Sequence, residues 1–283
     1  MLKLDGLEVS RQIRGTLKEN ISDWASKNNR SPGLSVILVG EDPASQVYVS
    51  HKEKACGQVG INSEVIKMPA NSSFEEVSAQ ITKLNNNAAV DGILVQLPLP
   101  KHLNERKVLE LIDPKKDPDG LTIENIGLFY GDIHRVKSCT PNGVMEILKH
   151  YNIETEGKRA VVIGRSQIVG LPMFNLLQQA NATVTLCHSR TKNLNDHTLN
   201  ADIVVVAAGI PEFLGKENFK KGSIIIDVGI HRKLIEGKNK LVGDVRYSEL
   251  EGWVEAATPV PKGVGPMTIT MLLQNTFDLA KAE

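Results

Sequence analysis

Arg159-Ala-Val-Val-Ile163-Gly164-Arg165-Ser166-Gln-Ile-Val-Gly170-Leu-Pro172 is a short apolar run that stops on a glycine and turns into a helical segment. Strand, glycine turn and helix in that order aim backbone N–H groups and a helix dipole at a phosphate. The usual G-x-G-x-x-G spacing is absent, because Ser166 holds the second glycine position and Gly170 comes four residues later. The flanking chain strengthens the reading. Strands are expected at Thr183–Cys187, Ile203–Ala207 and Ser223–Val228, each closed by a polar or glycine-containing turn. Such alternation implies a parallel sheet with helices on its faces, of the kind that binds dinucleotides. An NAD site places an acid after the second strand, and here that strand ends Cys187-His188-Ser189-Arg190-Thr191 with no carboxylate. Arg165 and Ser166 add a guanidinium and a hydroxyl, groups that bind a 2′-phosphate which a carboxylate would repel. The sequence therefore favours NADP over NAD. Small residues at Ala207-Ala208-Gly209 and at Gly229, before Ile230, end the next strands as close approach to a flat cofactor requires.

Upstream, a second α/β unit is legible. Val9, Ile13, Leu17, Ile21 and Trp24 give residues 8–28 a helical apolar stripe. Ser35–Val39 is a buried-strand pattern, and Asp42-Pro43 opens a helix with proline near its first turn. A strand at Glu64–Met68 and a helix opened by Ser72 or Ser73, with Glu76 as capping partner, follow. The strand Gly92–Gln96 is ended by Leu97-Pro98-Leu99-Pro100, and a helix spans about residues 104–111. Pro141 and Asn142 open another helix that runs to about His150. The chain closes on an amphipathic helix over 268–281, which in such proteins often packs back on the first domain and makes it discontinuous. Ligands of these sheets bind beyond the carboxyl ends of the strands.

One helix carries an anomaly. In Ala44-Ser45-Gln-Val-Tyr48-Val-Ser-His-Lys52-Glu-Lys-Ala55-Cys56-Gly-Gln-Val59, the residues Tyr48, Ala55, Cys56 and Val59 are expected on one apolar stripe, with Lys52 in its middle. An ammonium on a buried face snorkels out, finds a partner, or lowers its pKa by desolvation. The last two outcomes make a lysine an acid–base group near neutrality, while the first leaves an ordinary surface lysine under a packed tyrosine. Asp113-Pro-Lys-Lys-Asp117-Pro-Asp119-Gly120 is a turn-rich loop with three aspartates, readable as a solvated acidic turn or as part of a site.

The 283 residues suffice for two domains of ordinary size. The 33 basic and 33 acidic residues cancel and form no block of one sign, which argues against nucleic acid and membrane surfaces as partners. Cys56, Cys139 and Cys187 are widely separated and odd in number, so a disulfide framework or zinc site is not expected and a reducing cytosol is. The N-terminus has no apolar signal core.

Five motifs in order carry a resemblance. They are Gly40-Glu-Asp-Pro-Ala-Ser-Gln-Val-Tyr48-Val-Ser-His-Lys52, Val95-Gln-Leu-Pro-Leu-Pro100, Asp117-Pro-Asp119-Gly120, Gly164-Arg-Ser-Gln-Ile-Val-Gly170 and Pro261-Lys-Gly-Val-Gly-Pro-Met-Thr268. Over essentially its whole length the chain resembles the bifunctional methylenetetrahydrofolate dehydrogenase/methenyltetrahydrofolate cyclohydrolase family. The resemblance implies two parallel-sheet α/β domains, a catalytic folate-binding domain of residues 1–139 and 267–283 and a Rossmann-type NADP-binding domain of residues 140–266, with a substrate cleft between them. It implies oxidation of 5,10-methylenetetrahydrofolate with NADP+, hydrolysis of the methenyl product to 10-formyltetrahydrofolate, and a cytoplasmic homodimer. By matching position, Lys52, Tyr48, Gln96 and Asp119 would form the catalytic set. Lys52 would be the acid–base group, Tyr48 the ring packed on folate, Gln96 the partner tuning Lys52, and Asp119 the acceptor for the pterin's N–H groups. Ser45, Pro261 and Gly265 would join Tyr48 and Asp119 in binding substrate, and Gly164, Arg165, Ser166, Ser189 and Ile230 would bind NADP, with no metal. Three positions depart from the family pattern: Ser138 stands for a proline, Thr122-Ile123 for a His-Pro pair, and Lys262 for a glycine. The residues alone leave open another two-domain NADP-dependent dehydrogenase, a monofunctional dehydrogenase, and a non-catalytic NADP-binding protein.

Overall fold

The structure, a computed structural model, describes residues 1–235 and 237–282. It falls into two compact units, one of Gln12–Cys139 with Ile269–Glu283 and one of Met1–Arg11 with Thr140–Thr268. The resemblance places the first eleven residues with the folate unit. They group instead with the second one, because β1 (Leu2–Lys3) pairs in parallel with a strand near residue 256. The division falls within α1 (Gly6–Asn28), whose Val9, Leu17 and Ile21 are buried as the stripe requires.

In the unit that begins at Gln12, the order is β2 (Gly33–Val39), α2 (Pro43–Val59), β3 (Asn62–Met68), α3 (Phe74–Asn85), β4 (Gly92–Val95), α4 (Glu105–Leu109) and α5 (Ile123–Tyr130). The sheet is parallel, in the order β3-β2-β4, with Val36 opposite both Val65 and Leu94. β2 has a neighbour on each side and is buried throughout, which is why it reads as apolar residues interrupted only by Ser35. Ile37, Ile81, Ile93, Val95 and Val108 belong to one core cluster. Of the two candidate caps, Ser73 is the one used. Its hydroxyl accepts from Glu76 N and the Glu76 carboxylate accepts from Ser73 N, closing a capping box. α5 lies outside the elements expected from sequence. Thr122 caps it, so the Thr122-Ile123 departure has a structural consequence: its side chain accepts from Asn125 N.

The other unit continues with α6 (Cys139–His150), β5 (Arg159–Ile163), α7 (Gly170–Gln179), β6 (Thr183–Cys187), α8 (Leu194–Thr198), β7 (Ile203–Val206), β8 (Ile224–Asp227), β9 (His231–Ile235), β10 (Lys238–Val242) and β11 (Ala256–Ala257), and α9 (Val264–Lys281) begins in it and runs on from Ile269 as part of the Gln12 unit. Its six strands are parallel in the order β1-β11-β8-β7-β5-β6. β5, the strand that opens the motif at Gly164, lies between β6 and β7, so the order reverses there. Such a reversal is where open α/β sheets bind ligands. β9 and β10 form an antiparallel hairpin whose lysine- and arginine-rich sequence gives no alternation to reveal it. α9 starts four residues before the expected 268, with Pro266 in its first turn, where a missing N–H breaks no intrahelical bond. Among the described residues no helix is long and apolar enough to cross a membrane.

Candidate functional site

β2 and β4 are parallel neighbours, so their carboxyl ends coincide, and the chain after each end supplies one candidate side chain. After β2, Gly40 leads to Asp42, whose carboxylate accepts from Ser45 N at 2.7 Å and starts α2. After β4, Gln96 N still bonds Ile37 O at 2.9 Å, which holds the residue at the sheet's end. Lys52 in α2 donates from Nζ to Gln96 Oε1 at 3.0 Å, and Gln96 Nε2 in turn donates to Leu97 O at 2.6 Å. The second bond fixes which end of the amide faces the lysine, so Gln96 presents an acceptor to it. Lys52 is partly buried, and desolvation pulls its pKa below the ordinary lysine value. The charge of Asp119 opposes that shift, as do Cys139 and Cys56 more weakly. A lysine that is desolvated and hydrogen-bonded is the chemical alternative to the snorkelling one.

The α2 stripe differs from the expected one in a single respect. Ser45, Val49, Ala55, Cys56 and Val59 are its buried residues, while Tyr48 is 41% exposed. Val49, Cys56 and Val59 lie 4, 11 and 14 residues after Ser45 on one row, with the partly buried Lys52 at +7, so Tyr48 at +3 stands beside it rather than on it. An exposed ring four residues before Lys52 is available to a ligand.

The aspartate loop separates into two roles. Asp117 is buried and accepts from Gly120 N at 3.0 Å, Thr122 N at 2.8 Å and Asn125 Nδ2 at 3.1 Å. It builds the turn, and burial raises its pKa despite those donors. Asp119 is half-buried, and Cys139 Sγ donates to its Oδ1 at 3.3 Å. Burial first, then the neighbouring Asp119 charge, raises the Cys139 thiol well above its ordinary value and keeps it a donor. Nothing in the sequence pairs Cys139 with Asp119, which are twenty positions apart.

In the other unit, Gly164 follows β5 with φ +122°, and a Cβ there would overlap Ala207 O after β7. Gly164 thus brings the ends of β5 and β7 together. Ser166 Oγ accepts from Val169 N at 3.1 Å, which shapes the turn, and Arg165 and Ser166 are exposed on it. Ser189 is exposed in the turn after β6, where Thr191 Oγ1 accepts from His188 N at 2.9 Å. This donor set, with a guanidinium and hydroxyls and no carboxylate between Cys187 and Thr191, suits a phosphorylated ribose. Ile230 and Gly265, expected on the cofactor and folate sides respectively, adjoin: a Cβ on Gly265 would lie 3.1 Å from Ile230 Cδ1. Pro261 is exposed. Lys262 has φ +83°, a left-handed conformation that explains why glycine is the expected residue and that costs a lysine about 1 kcal/mol. Ser138 is buried. Among the described residues there is no cluster of side chains that would hold a metal ion.

Residues 4–119 match the family model described as "Tetrahydrofolate dehydrogenase/cyclohydrolase, catalytic domain". Residues 138–283 match its "NAD(P)-binding domain" counterpart. The chain is 54% identical to the "Bifunctional protein FolD" of Bdellovibrio bacteriovorus, over 99% of this chain and 97% of that protein. The crystal structure of the bifunctional methylenetetrahydrofolate dehydrogenase/cyclohydrolase of Campylobacter jejuni is similar at a TM-score of 0.96 and 46% identity, covering 100% of this chain and 99% of that one. The Trypanosoma brucei enzyme, crystallised with NADP cofactor and inhibitor, is similar at a TM-score of 0.95 and 38% identity, covering 100% of this chain and 98% of that one.

Proposed function

The chain belongs to the tetrahydrofolate dehydrogenase/cyclohydrolase family, and from that premise we infer that it oxidises 5,10-methylenetetrahydrofolate with NADP+ and hydrolyses the methenyl product to 10-formyltetrahydrofolate. The observation that carries the second activity is the Lys52–Gln96 pair, a desolvated amine held on an amide oxygen. NADP+, when bound, supplies the hydride acceptor for the first step. In the second, water adds to the methenyl carbon and releases a proton, and the ring then opens as a C–N bond breaks, the hydroxyl giving up its remaining proton as the formyl C=O forms and the departing nitrogen gaining one. Lys52 is the group in this reading that takes and returns protons. Gln96 orients it, Asp119 accepts from the pterin's N–H groups, and Tyr48, Ser45, Pro261 and Gly265 complete folate binding. We assign the folate chemistry to the unit holding Lys52 and NADP to the unit holding Gly164, with Arg165, Ser166, Ser189 and Ile230 as its contacts.

The test is one progress curve. Purified protein receives methylenetetrahydrofolate and NADP+, and the absorbance of the methenyl compound is followed. A rise followed by decay is expected. A rise without decay identifies a monofunctional dehydrogenase, and no change identifies a non-catalytic binder. The reading also takes the protein to be a cytosolic homodimer. Three buried free cysteines suit a reducing compartment, and the dimer follows from the family resemblance, to be checked by light scattering.

Arg165 yields a further prediction. Arg165→Ala is expected to raise the NADP+ KM about tenfold while leaving the folate KM and the cyclohydrolase rate unchanged, the lower end of the range for a charge-assisted contact because the guanidinium is exposed. Steady-state kinetics with NADP+ and NAD+ decide it. Equal use of the two cofactors by the unaltered protein would show that Arg165 and Ser166 do not select the 2′-phosphate.

A further inference from the structure

Two buried carboxylates stand at the carboxyl end of the six-stranded sheet without a place in the chemistry above. Asp227, the last residue of β8, is 3% exposed, and Asp244, after β10, is 0% exposed. Asp227 Oδ1 accepts from Gly229 N at 2.9 Å and Asp244 N at 3.0 Å, and its Oδ2 accepts from Val245 N at 2.9 Å. Asp244 Oδ2 accepts from Ala208 N at 2.6 Å and Gly209 N at 2.9 Å, and its Oδ1 meets His231 Nε2 at 2.6 Å. The space is reserved for them: a Cβ on Gly229 would overlap the Asp244 carboxylate, and one on Gly243 would overlap that of Asp227. Burial pushes the Asp227 carboxyl up to about 7, outweighing its three N–H donors, and the Asp244 charge adds to the rise.

The bonds converge on one short segment. Ile230 is 42% exposed, and the residues on either side of it are both tied down: Gly229 by Asp227, and His231 by Asp244. Asp244 also holds the Ala208–Gly209 turn after β7, beside the strand reversal at β5. A carboxylate suits the place because every group facing it from these turns is a donor or, for His231, can be one. We propose that Asp244 is a positioning residue for the oxidation step, fixing the backbone around Ile230 and the Ala208–Gly209 turn where this unit holds the hydride-accepting end of NADP. This rests on the reading of Ile230 as an NADP-side residue. His231 is the link through which Asp244 acts on Ile230.

The two activities provide the control, since cyclohydrolysis of supplied methenyltetrahydrofolate transfers no hydride. Asp244→Asn keeps an oxygen for Ala208 and Gly209 and removes the charge facing His231. His231→Ala cuts the link and leaves the turn after β7 untouched. In each variant the dehydrogenase kcat is expected to fall about ten- to a hundredfold, the scale of a misplaced reacting group. The NADP+ dissociation constant, from calorimetry on cofactor-free protein, is expected to rise, while the cyclohydrolase rate stays within about twofold. Equal losses in both activities, or an unchanged kcat and NADP+ affinity in folded His231→Ala, would overturn the proposal and leave the carboxylates a purely structural role. Should Asp244→Asn fail to fold, the His231 variant alone decides. Ile230→Ala separates this proposal from the reading beneath it: unchanged oxidation and NADP+ binding there would mean that Ile230 is not on the NADP side.

Discussion

Replacing Lys52 by methionine is expected to slow hydrolysis of methenyltetrahydrofolate by about a hundred- to ten-thousandfold, the usual worth of general acid–base assistance, while measurable dehydrogenase activity remains. The reason lies in what each step moves. Hydride leaves the bridge carbon as the adjacent nitrogen donates its electron pair, so oxidation needs alignment and no proton transfer. Hydrolysis makes and breaks O–H and N–H bonds. Methionine keeps the length and apolar stem of Lys52 in its partly buried place on α2 and deletes the ammonium, so the fold is expected to survive. Gln96 Oε1 loses its donor, but Gln96 is only partly buried and water can replace it. The variant should therefore accumulate the methenyl compound. Arginine at the same position should fail equally, because its guanidinium stays protonated at any working pH. The unaltered enzyme should show a cyclohydrolase pH limb below the 10.5 of a free lysine, since desolvation favours the neutral amine. Separate progress curves for each step, with thermal unfolding as control, provide the check. A Lys52→Met protein that hydrolyses at the original rate would return Lys52 to the role of a snorkelling surface residue.

Asp119→Asn is expected to lower kcat/KM of both activities about a hundred- to a thousandfold, because it loses charge-assisted bonds to the pterin and points an amide donor at other donors. The turn itself should persist, since Asp117 and not Asp119 accepts the bonds that shape it. Cys139 Sγ can still donate to the remaining oxygen. A second effect follows from the neighbouring charge. The Asp119 carboxylate raises the pKa of Lys52, so removing it lets that pKa fall further, and the cyclohydrolase pH limb should move toward lower pH. NADP+ affinity should not change. Isothermal titration with folate and with NADP+, together with the pH profile, tests all three statements. Intact folate affinity with both rates unaltered would make Asp119 part of an ordinary surface turn.

The sequence by itself determined the class of both units and pointed to NADP as the cofactor. Val36–Val39 and Ile203–Val206 are unbroken apolar runs because strands with a neighbour on each side face helices above and below. The glycine turn at Gly164 and the absent acid after Cys187 are local features, written in adjacent residues. Lys52 was visible as a charge out of place on α2, although periodicity put Tyr48 on the buried row that Val49 in fact occupies. One residue is 100° of helix, too fine for a stripe of four apolar positions to resolve. Tertiary structure alone decided the rest. β1 joins the six-stranded sheet through two residue pairs too few to leave any pattern. Asp117 and Asp119 have identical side chains two positions apart, and only the donors folded around each separate a turn-builder from a candidate ligand group. Asp244, His231 and Ala208 are brought together by strand order, not by spacing, and a buried carboxylate looks like any surface aspartate until its partners arrive.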